Sequence, residues 1–336
     1  MAEQRCRNRG FTALELIVVA VVVCLLVSLL LPAVQSAREA ARSRQCQNNL
    51  RQIGLAFQQY EGNFGVFPAA YYLVHRLGPL SRFCCDGPAD DGNVHLYTEM
   101  LLPYLDRADL YQRIDFSSPY FSPFEWPDVG KYSAPNQAVM STPISVFRCP
   151  STARKATVYT TTDSTLGVDI TWTSGSMDYS PSAGIWGNTT DDASDEPHPS
   201  GWMDGILSDN HRALKTDDVS DGVSNVMLMY ELAGRNDLYR VGKLVQTNAT
   251  IGGGWADFNN AENWITGTKF DGTGGSDSGA CLVNCTNESG AGMYSFHNNM
   301  VHILMADSSV RNLSQNVQNS LIVKLVSIDG GSLSDF

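Results

Sequence analysis

The sequence predicts an α+β protein in which a long amino-terminal helix packs on an antiparallel sheet that belongs to an enlarged, loop-rich globular head. Three observations lead there. Residues 11–31 form one apolar run, apolar residues then recur at helical spacing as far as Tyr60, and residues 62–336 alternate short β-prone pieces with tracts rich in Gly, Ser, Asp and Thr.

The apolar run comes first. From Phe11 to Leu31 the chain reads FTALELIVVAVVVCLLVSLLL, with Glu15 as its only ionisable carboxylate. As a helix it would measure roughly 31 Å, about one hydrocarbon thickness, so it is expected to span a bilayer. An ordinary secretory signal has a shorter apolar region followed by small residues at a cleavage site, and Leu30-Leu31-Pro32 is not such a site. A carboxylate inside the run costs several kcal/mol unless it lies at the interface or meets a partner. Glu15 therefore asks for an explanation. The flanks do not orient the span, because Arg5, Arg7 and Arg9 before it are balanced by Arg38, Arg42, Arg44 and Arg51 after it.

Beyond Pro32, a candidate kink, residues 32–61 continue the helix in amphipathic form, with Cys46, Leu50, Ile53, Phe57 and Tyr60 on one face. Gly62, Gly65 and Pro68 end the pattern. In the head, residues 96–114 read as a helix interrupted near Pro103. Residues 157–162 and 226–232 read as strands, and Val317, Leu321 and Leu325 mark a last helix. Met300–Met305 and Val310–Leu313 read as two strands around a four-residue turn. Residues 189–199 and 252–254 read as loops, and the chain has no internal repeat.

The formal charge is −12, from 23 basic and 35 acidic residues. Residues 1–10 hold three Arg and one Glu, so their loss would leave 20 against 34, or −14. Such a surface repels phosphate backbones, and no basic stripe with interleaved aromatics follows residue 60, so nucleic-acid binding is disfavoured. Of eight cysteines, Cys6 precedes the apolar run and Cys24 lies within it. Cys46, Cys84, Cys85, Cys149, Cys281 and Cys285 permit three disulfides in fifteen pairings, among which the sequence does not choose. Cys281 and Cys285 are close enough to staple a local loop, whereas adjacent Cys84 and Cys85 are expected to reach elsewhere. No C-x-x-C pair exists and the six His are scattered, which leaves zinc without a local motif.

Arg9-Gly10-Phe11-Thr12-Ala13-Leu14-Glu15, with the basic leader before it and the apolar helix after it, resembles the processing signature of type IV prepilins and type II secretion pseudopilins. The resemblance implies a leader at 1–10, cleavage after Gly10 by a membrane-embedded prepilin peptidase, and N-methylation of Phe11. It further implies a transmembrane helix at 11–31, Glu15 as the fifth mature residue, and a pilin-like fold. The new amine would lie one helical turn from Glu15, and in a filament the amine of one subunit can meet the Glu of its neighbour. Two buried charges that are satisfied only in register would then set subunit position. The resemblance also implies a single pass in the inner membrane, with the amino terminus cytoplasmic and the head in the periplasm or at the cell surface.

The segment LLPAVQSAREAARSRQCQNNLRQIGLAFQQYEGNFGVFPAAY resembles the start of a large family of prepilin-like bacterial proteins classed as a domain of unknown function. Further matches lie at Met100–Leu105, Val146–Ser151 and Val219–Asn225. Tyr294-Ser295-Phe296-His297, followed by nine residues and Asp307, resembles the processing-associated domain named for His, nine residues and Asp-Gly. This chain has Ser308 where that motif has Gly, and Asn298-Asn299 where Pro or Gly is common.

No enzyme motif emerges: G-x-S-x-G, the P-loop and H-E-x-x-H are absent. His297 and Asp307 are read as a structural hydrogen bond across the hairpin rather than a catalytic pair. Asp271 to Asp277, and Asp217-Asp218 with Asp221-Gly222, offer oxygen ligands, and some similar pseudopilins bind calcium near their carboxyl terminus. Neither run has EF-hand spacing, so solvated turns are preferred and no cofactor is expected. The expectation is a non-catalytic, membrane-anchored subunit whose partners are the membrane, the peptidase and methyltransferase, and other pilin-like subunits. Two rivals stand beside it: a surface binding module for carbohydrate or another ligand that never polymerises, and an anchored hydrolase.

Overall fold

The structure is a computed structural model that describes residues 13–73, 94–121, 124–126, 130–132, 135–163, 170–186, 202–207, 214–274 and 279–328. Its leading element is α1, Ala13–Phe64, a single helix of 52 residues. α1 runs through Pro32 without interruption, although proline there leaves the Ser28 carbonyl without its intrahelical donor. Strong helix formers flank it, with Leu29-Leu30-Leu31 before and an Ala-rich stretch after, which outweighs the lost bond.

α1 has two environments. Every residue from Ala13 to Arg38 is exposed, and this apolar part is long enough to cross a membrane. Its second half is docked: Cys46, Asn49, Leu50, Ile53, Gly54, Ala56 and Phe57 are buried, an i, i+3, i+4, i+7 stripe facing the head. The helix passes Gly62 and stops at Gly65, whose positive φ of 72° ends the turn and lets its N–H reach the Glu61 carbonyl at 2.6 Å.

The stripe packs on a four-stranded antiparallel sheet made of β1 (Tyr179–Pro181), β2 (Met227–Glu231), β3 (Met300–Met305) and β4 (Val310–Ser314), in the order β4-β3-β2-β1. Side chains alternate across it. Tyr179, Met229 and Leu304 share one core with α1, while Val301, Ile303 and Met305 join a second core on the opposite face. That second core is closed by α2 (Asn319–Val326), which contributes Ile322, Val323, Leu325 and Val326. Smaller sheets flank the central one, including the hairpin of Val158–Asp163 and Ile170–Gly175 and a mixed three-stranded sheet holding Gly184–Trp186, Trp202–Asp204 and Trp264–Ile265.

The interrupted helix near Pro103 resolves into a helix at Tyr97–Leu101, a 3-10 turn at Leu102–Leu105 and a helix at Ala108–Tyr111. Here Phe57 of α1 stacks on Tyr97, with ring centroids 5.8 Å apart. Among the described residues the head has two covalent ties: Cys46 of α1 is bonded to Cys149, and Cys281 to Cys285.

Gly54 is where α1 comes closest to the β3–β4 turn. A Cβ there would lie 2.8 Å from Leu304 Cδ1 and 2.9 Å from Ser308 Cβ. Ser308 itself holds φ at 67°, so the left-handed geometry that glycine would take without cost is adopted here by serine.

Candidate functional site at the helix–hairpin junction

A buried polar cluster lies where α1 meets β2 and the entry to β3, at an open cleft lined by Glu39, Arg42, Ser43, Gln47, Phe296 and His297. The side chain of His297 is 1 % exposed. Its Nδ1 is 2.9 Å from Glu39 Oε1, and its Nε2 is 3.2 Å from Glu231 Oε1 and 3.4 Å from Cys149 Sγ. Glu39 is held in turn by the Ser151 hydroxyl, which donates to Oε1 at 2.8 Å, and by Arg42, whose Nη2 donates to Oε2 at 2.6 Å. Glu231 is fully buried, and its Oε2 accepts the His302 backbone N–H at 2.8 Å. The Cys149 backbone N–H donates to Asp178 Oδ2 at 2.9 Å, and Asp178 Oδ1 accepts from Arg154 Nη2 at 3.0 Å.

These contacts set the direction in which each group's pKa moves. Burial alone would lower the His297 pKa, but the hydrogen bonds and charges of Glu231 and Glu39 outweigh it and raise the value above that of an ordinary imidazole. Burial pushes Glu39 upward, yet hydrogen bonds from His297, Ser151 and Arg42 hold its carboxyl below the usual range. His297 thus lies between two carboxyl groups, both of which favour its protonated form. His302 behaves oppositely: burial lowers its pKa, Glu231 opposes that shift, and the neighbouring His297 charge adds to it. The two rings lie 4.6 Å apart, centroid to centroid. His302 Nδ1 is 2.7 Å from Asn312 Oδ1 on β4, and its Nε2 is 2.9 Å from Ser43 Oγ on α1.

His297 and Asp307 do not bond each other, which corrects the expected hydrogen bond across the hairpin. β3 separates them and turns them to different ends of the sheet. Asp307 instead caps its own turn, accepting the Ser309 N–H at 2.8 Å. Its backbone N–H reaches the Val223 carbonyl at 3.1 Å, within the Val219–Asn225 motif. Gln58 of α1 donates to the Asp307 carbonyl at 3.0 Å.

The other predicted residues are dispersed. Gly10 and Phe11 lie outside the described residues, as do Cys84, Cys85 and Asp277. Glu15 sits in the first turn of α1, on its exposed part. Asp271 Oδ1 accepts from the Thr273 N–H and hydroxyl at 2.9 and 2.6 Å, a local Asx turn. Asp218 Oδ2 similarly accepts the Lys215 N–H at 2.8 Å. Of the fifteen open pairings, the structure contains Cys46–Cys149 and Cys281–Cys285. Cys24 is a free, exposed thiol on the apolar part of α1.

Sequence reasoning missed Glu39 and Glu231. For Glu231 a signal existed: it ends the apolar run Val226–Tyr230, where a carboxylate at a buried strand position demands a partner. Glu39 had none, because it stands in a charged helical stretch like any solvated acid.

Residues 35–320 match the model of a family described as "Protein of unknown function (DUF1559)". No curated protein and no solved structure matches the chain. Since the match covers most of the 336 residues and takes in the whole of the helix–hairpin junction, the chain belongs to the DUF1559 family.

Proposed function

We propose that this protein is a non-catalytic, pilin-like subunit, cleaved after Gly10 by a prepilin peptidase, N-methylated on Phe11 and held in the inner membrane by the first half of α1. Its head then faces the periplasm or the cell exterior, and its partners are other pilin-like subunits. One observation carries the reading: a single 52-residue helix whose apolar half is wholly exposed and whose other half is bolted to the head by a buried stripe and a disulfide. A rigid rod of this kind presents its apolar surface either to lipid or to the same surface of neighbouring copies. A cleaved secretory signal would have no reason to continue unbroken into the core of the domain it exports. The placement of Glu15 in the first turn suits a pairing with the amine that cleavage would create.

Mass spectrometry of the amino terminus, on protein from cells with an active prepilin peptidase, tests the proposal. The expected species begins with N-methyl-Phe11, and an intact Met1 terminus would refute processing. Assembly is tested through Cys24, whose exposed thiol should crosslink to neighbouring copies within sheared filaments.

A second reading, an anchored hydrolase, is favoured by one arrangement. Ser43 Oγ, His302 Nε2 with Nδ1, and Asn312 Oδ1 stand in the order hydroxyl, imidazole, amide at 2.9 and 2.7 Å, beside the open cleft. Ser43 would then react with a fluorophosphonate probe in the native protein and not after His302→Gln. Failure to label removes this reading.

A further inference from the structure

We propose that the junction has a second covalent state, in which the Cys46–Cys149 disulfide is reduced and the two sulfurs, with His297 Nε2 and Glu231 Oε1, ligate a zinc ion. The four ligand atoms lie within 4.8 Å of one another, and all four residues are buried. They come from four separate segments: α1, the stretch after the Ser145–Phe147 turn, the end of β2, and the approach to β3. Nothing in this inference depends on membrane anchoring or assembly.

The geometry around His297 carries the argument. With Nδ1 directed at Glu39 at 2.9 Å, Nε2 faces Glu231 Oε1 at 3.2 Å and Cys149 Sγ at 3.4 Å. Glu231 Oε1 is buried, and His297 Nε2, 3.2 Å away, is its ion-pair partner. Two electron-pair donors that face each other away from water require a cation between them. While the sulfurs are joined, that cation is the Nε2 proton. Once they are thiolates, two more negative donors enter the same space and a proton no longer balances them.

Two sulfurs, one imidazole nitrogen and one carboxylate oxygen form a donor set that zinc takes tetrahedrally. Two thiolates on one zinc stand roughly 3.7 Å apart, from Zn–S bonds of about 2.3 Å, so opening the S–S bond moves them in the required direction. The outer contacts are those of a metal site. Glu39 on Nδ1 fixes the ring and its tautomer, Arg42 and Ser151 fix Glu39, and Asp178 holds the Cys149 backbone.

The step balances with a dithiol as reductant. One thiolate of the dithiol attacks a sulfur of Cys46–Cys149, its second thiol resolves the mixed disulfide, and the dithiol leaves as a cyclic disulfide. Two electrons pass to Cys46 and Cys149. Zinc binds the resulting thiolates, and three protons go to solvent, two from the dithiol and one from His297 Nε2. Reoxidation by a disulfide reverses each transfer and expels the ion.

The test uses the full chain in detergent, reduced anaerobically with a phosphine and titrated with cobalt(II) as the probe. The expected result is one cobalt per chain, with a near-ultraviolet sulfur-to-metal charge-transfer band and the intense visible bands of tetrahedral cobalt, bleached by zinc. Cys46→Ser, Cys149→Ser and His297→Gln should each abolish or shift these bands, whereas Cys281→Ser with Cys285→Ser should leave them unchanged. Glu39→Gln removes only the outer carboxylate and leaves all four ligands in place. It should keep the band positions while weakening zinc by on the order of 10- to 100-fold. An intact Cys46–Cys149 linkage in oxidised His297→Gln, seen by peptide mapping, shows that this variant still folds. The proposal is overturned by absence of the tetrahedral spectrum, by its survival in Cys46→Ser and His297→Gln, or by its loss in the Cys281→Ser, Cys285→Ser chain.

Discussion

The two disulfides should contribute very unequally to stability, and the inequality follows from chain lengths alone. Cys46 and Cys149 are 103 residues apart and tie α1 to the far side of the head, whereas Cys281 and Cys285 are 4 residues apart. Cross-linking removes loop-closure entropy from the unfolded chain in proportion to the logarithm of loop length. At 25 °C this gives about 4.7 kcal/mol for the first bond and about 1.9 kcal/mol for the second. Replacing Cys46 and Cys149 by Ala also leaves a small void, because both side chains are buried beside Leu50 and Tyr179 in the same core. The difference between the two paired variants is therefore expected to be about 3 kcal/mol or slightly more. Guanidinium unfolding of the full chain in detergent, followed through the fluorescence of buried Trp172 and Trp255, measures it. Equal losses, or a larger loss for Cys281→Ala with Cys285→Ala, would refute the reasoning, because a free 103-residue loop in the unfolded state is its only large term.

Gly54→Ala gains up to about 1 kcal/mol of helix propensity but drives a methyl into Leu304 and the Ser308 Cβ, which stands on backbone and cannot swing away. Overpacking costs about 1–3 kcal/mol, so a net loss on the order of 1 kcal/mol is expected; a higher melting temperature in the variant would show that the turn yields. In the oxidised chain, the raised His297 pKa adds stability that is complete below the ordinary imidazole value and is lost as pH climbs through the folded value. The gap in unfolding free energy between the native chain and His297→Gln should thus narrow as pH rises, and a constant or widening gap counts against the two-carboxylate clamp. Phe57→Ala empties a fully buried site stacked on Tyr97 and should cost about 3–5 kcal/mol in the same denaturation assay, a loss under 1 kcal/mol being incompatible with the packing described. In cells, Gly10→Val should accumulate the uncleaved precursor on immunoblots. Glu15→Ala should insert normally yet fail to assemble or be methylated, and wild-type behaviour on both counts removes the role given to that carboxylate.

What the sequence determined by itself was everything whose physical cause is local. The length of an apolar run, the 3.6-residue recurrence of Cys46, Leu50, Ile53 and Phe57, and the short, mostly apolar run Met300–Met305 each state an environment directly, because side-chain direction follows from backbone period. The hairpin and the last helix were legible for the same reason, and the family match over residues 35–320 agrees with motifs read along the chain. The continuation of the helix beyond Pro32 was legible too, because strong helix formers stand on either side of it. Tertiary structure alone decided the partners of His297: Glu39 lies 258 positions away, and Glu231 and Cys149 lie on other segments again. Contacts of that separation leave no period or spacing in the sequence, since they are set by how the buried stripe of α1 and the alternating face of the sheet come together. His297 and Asp307, neighbours in a motif, were sent to different partners by the strand between them.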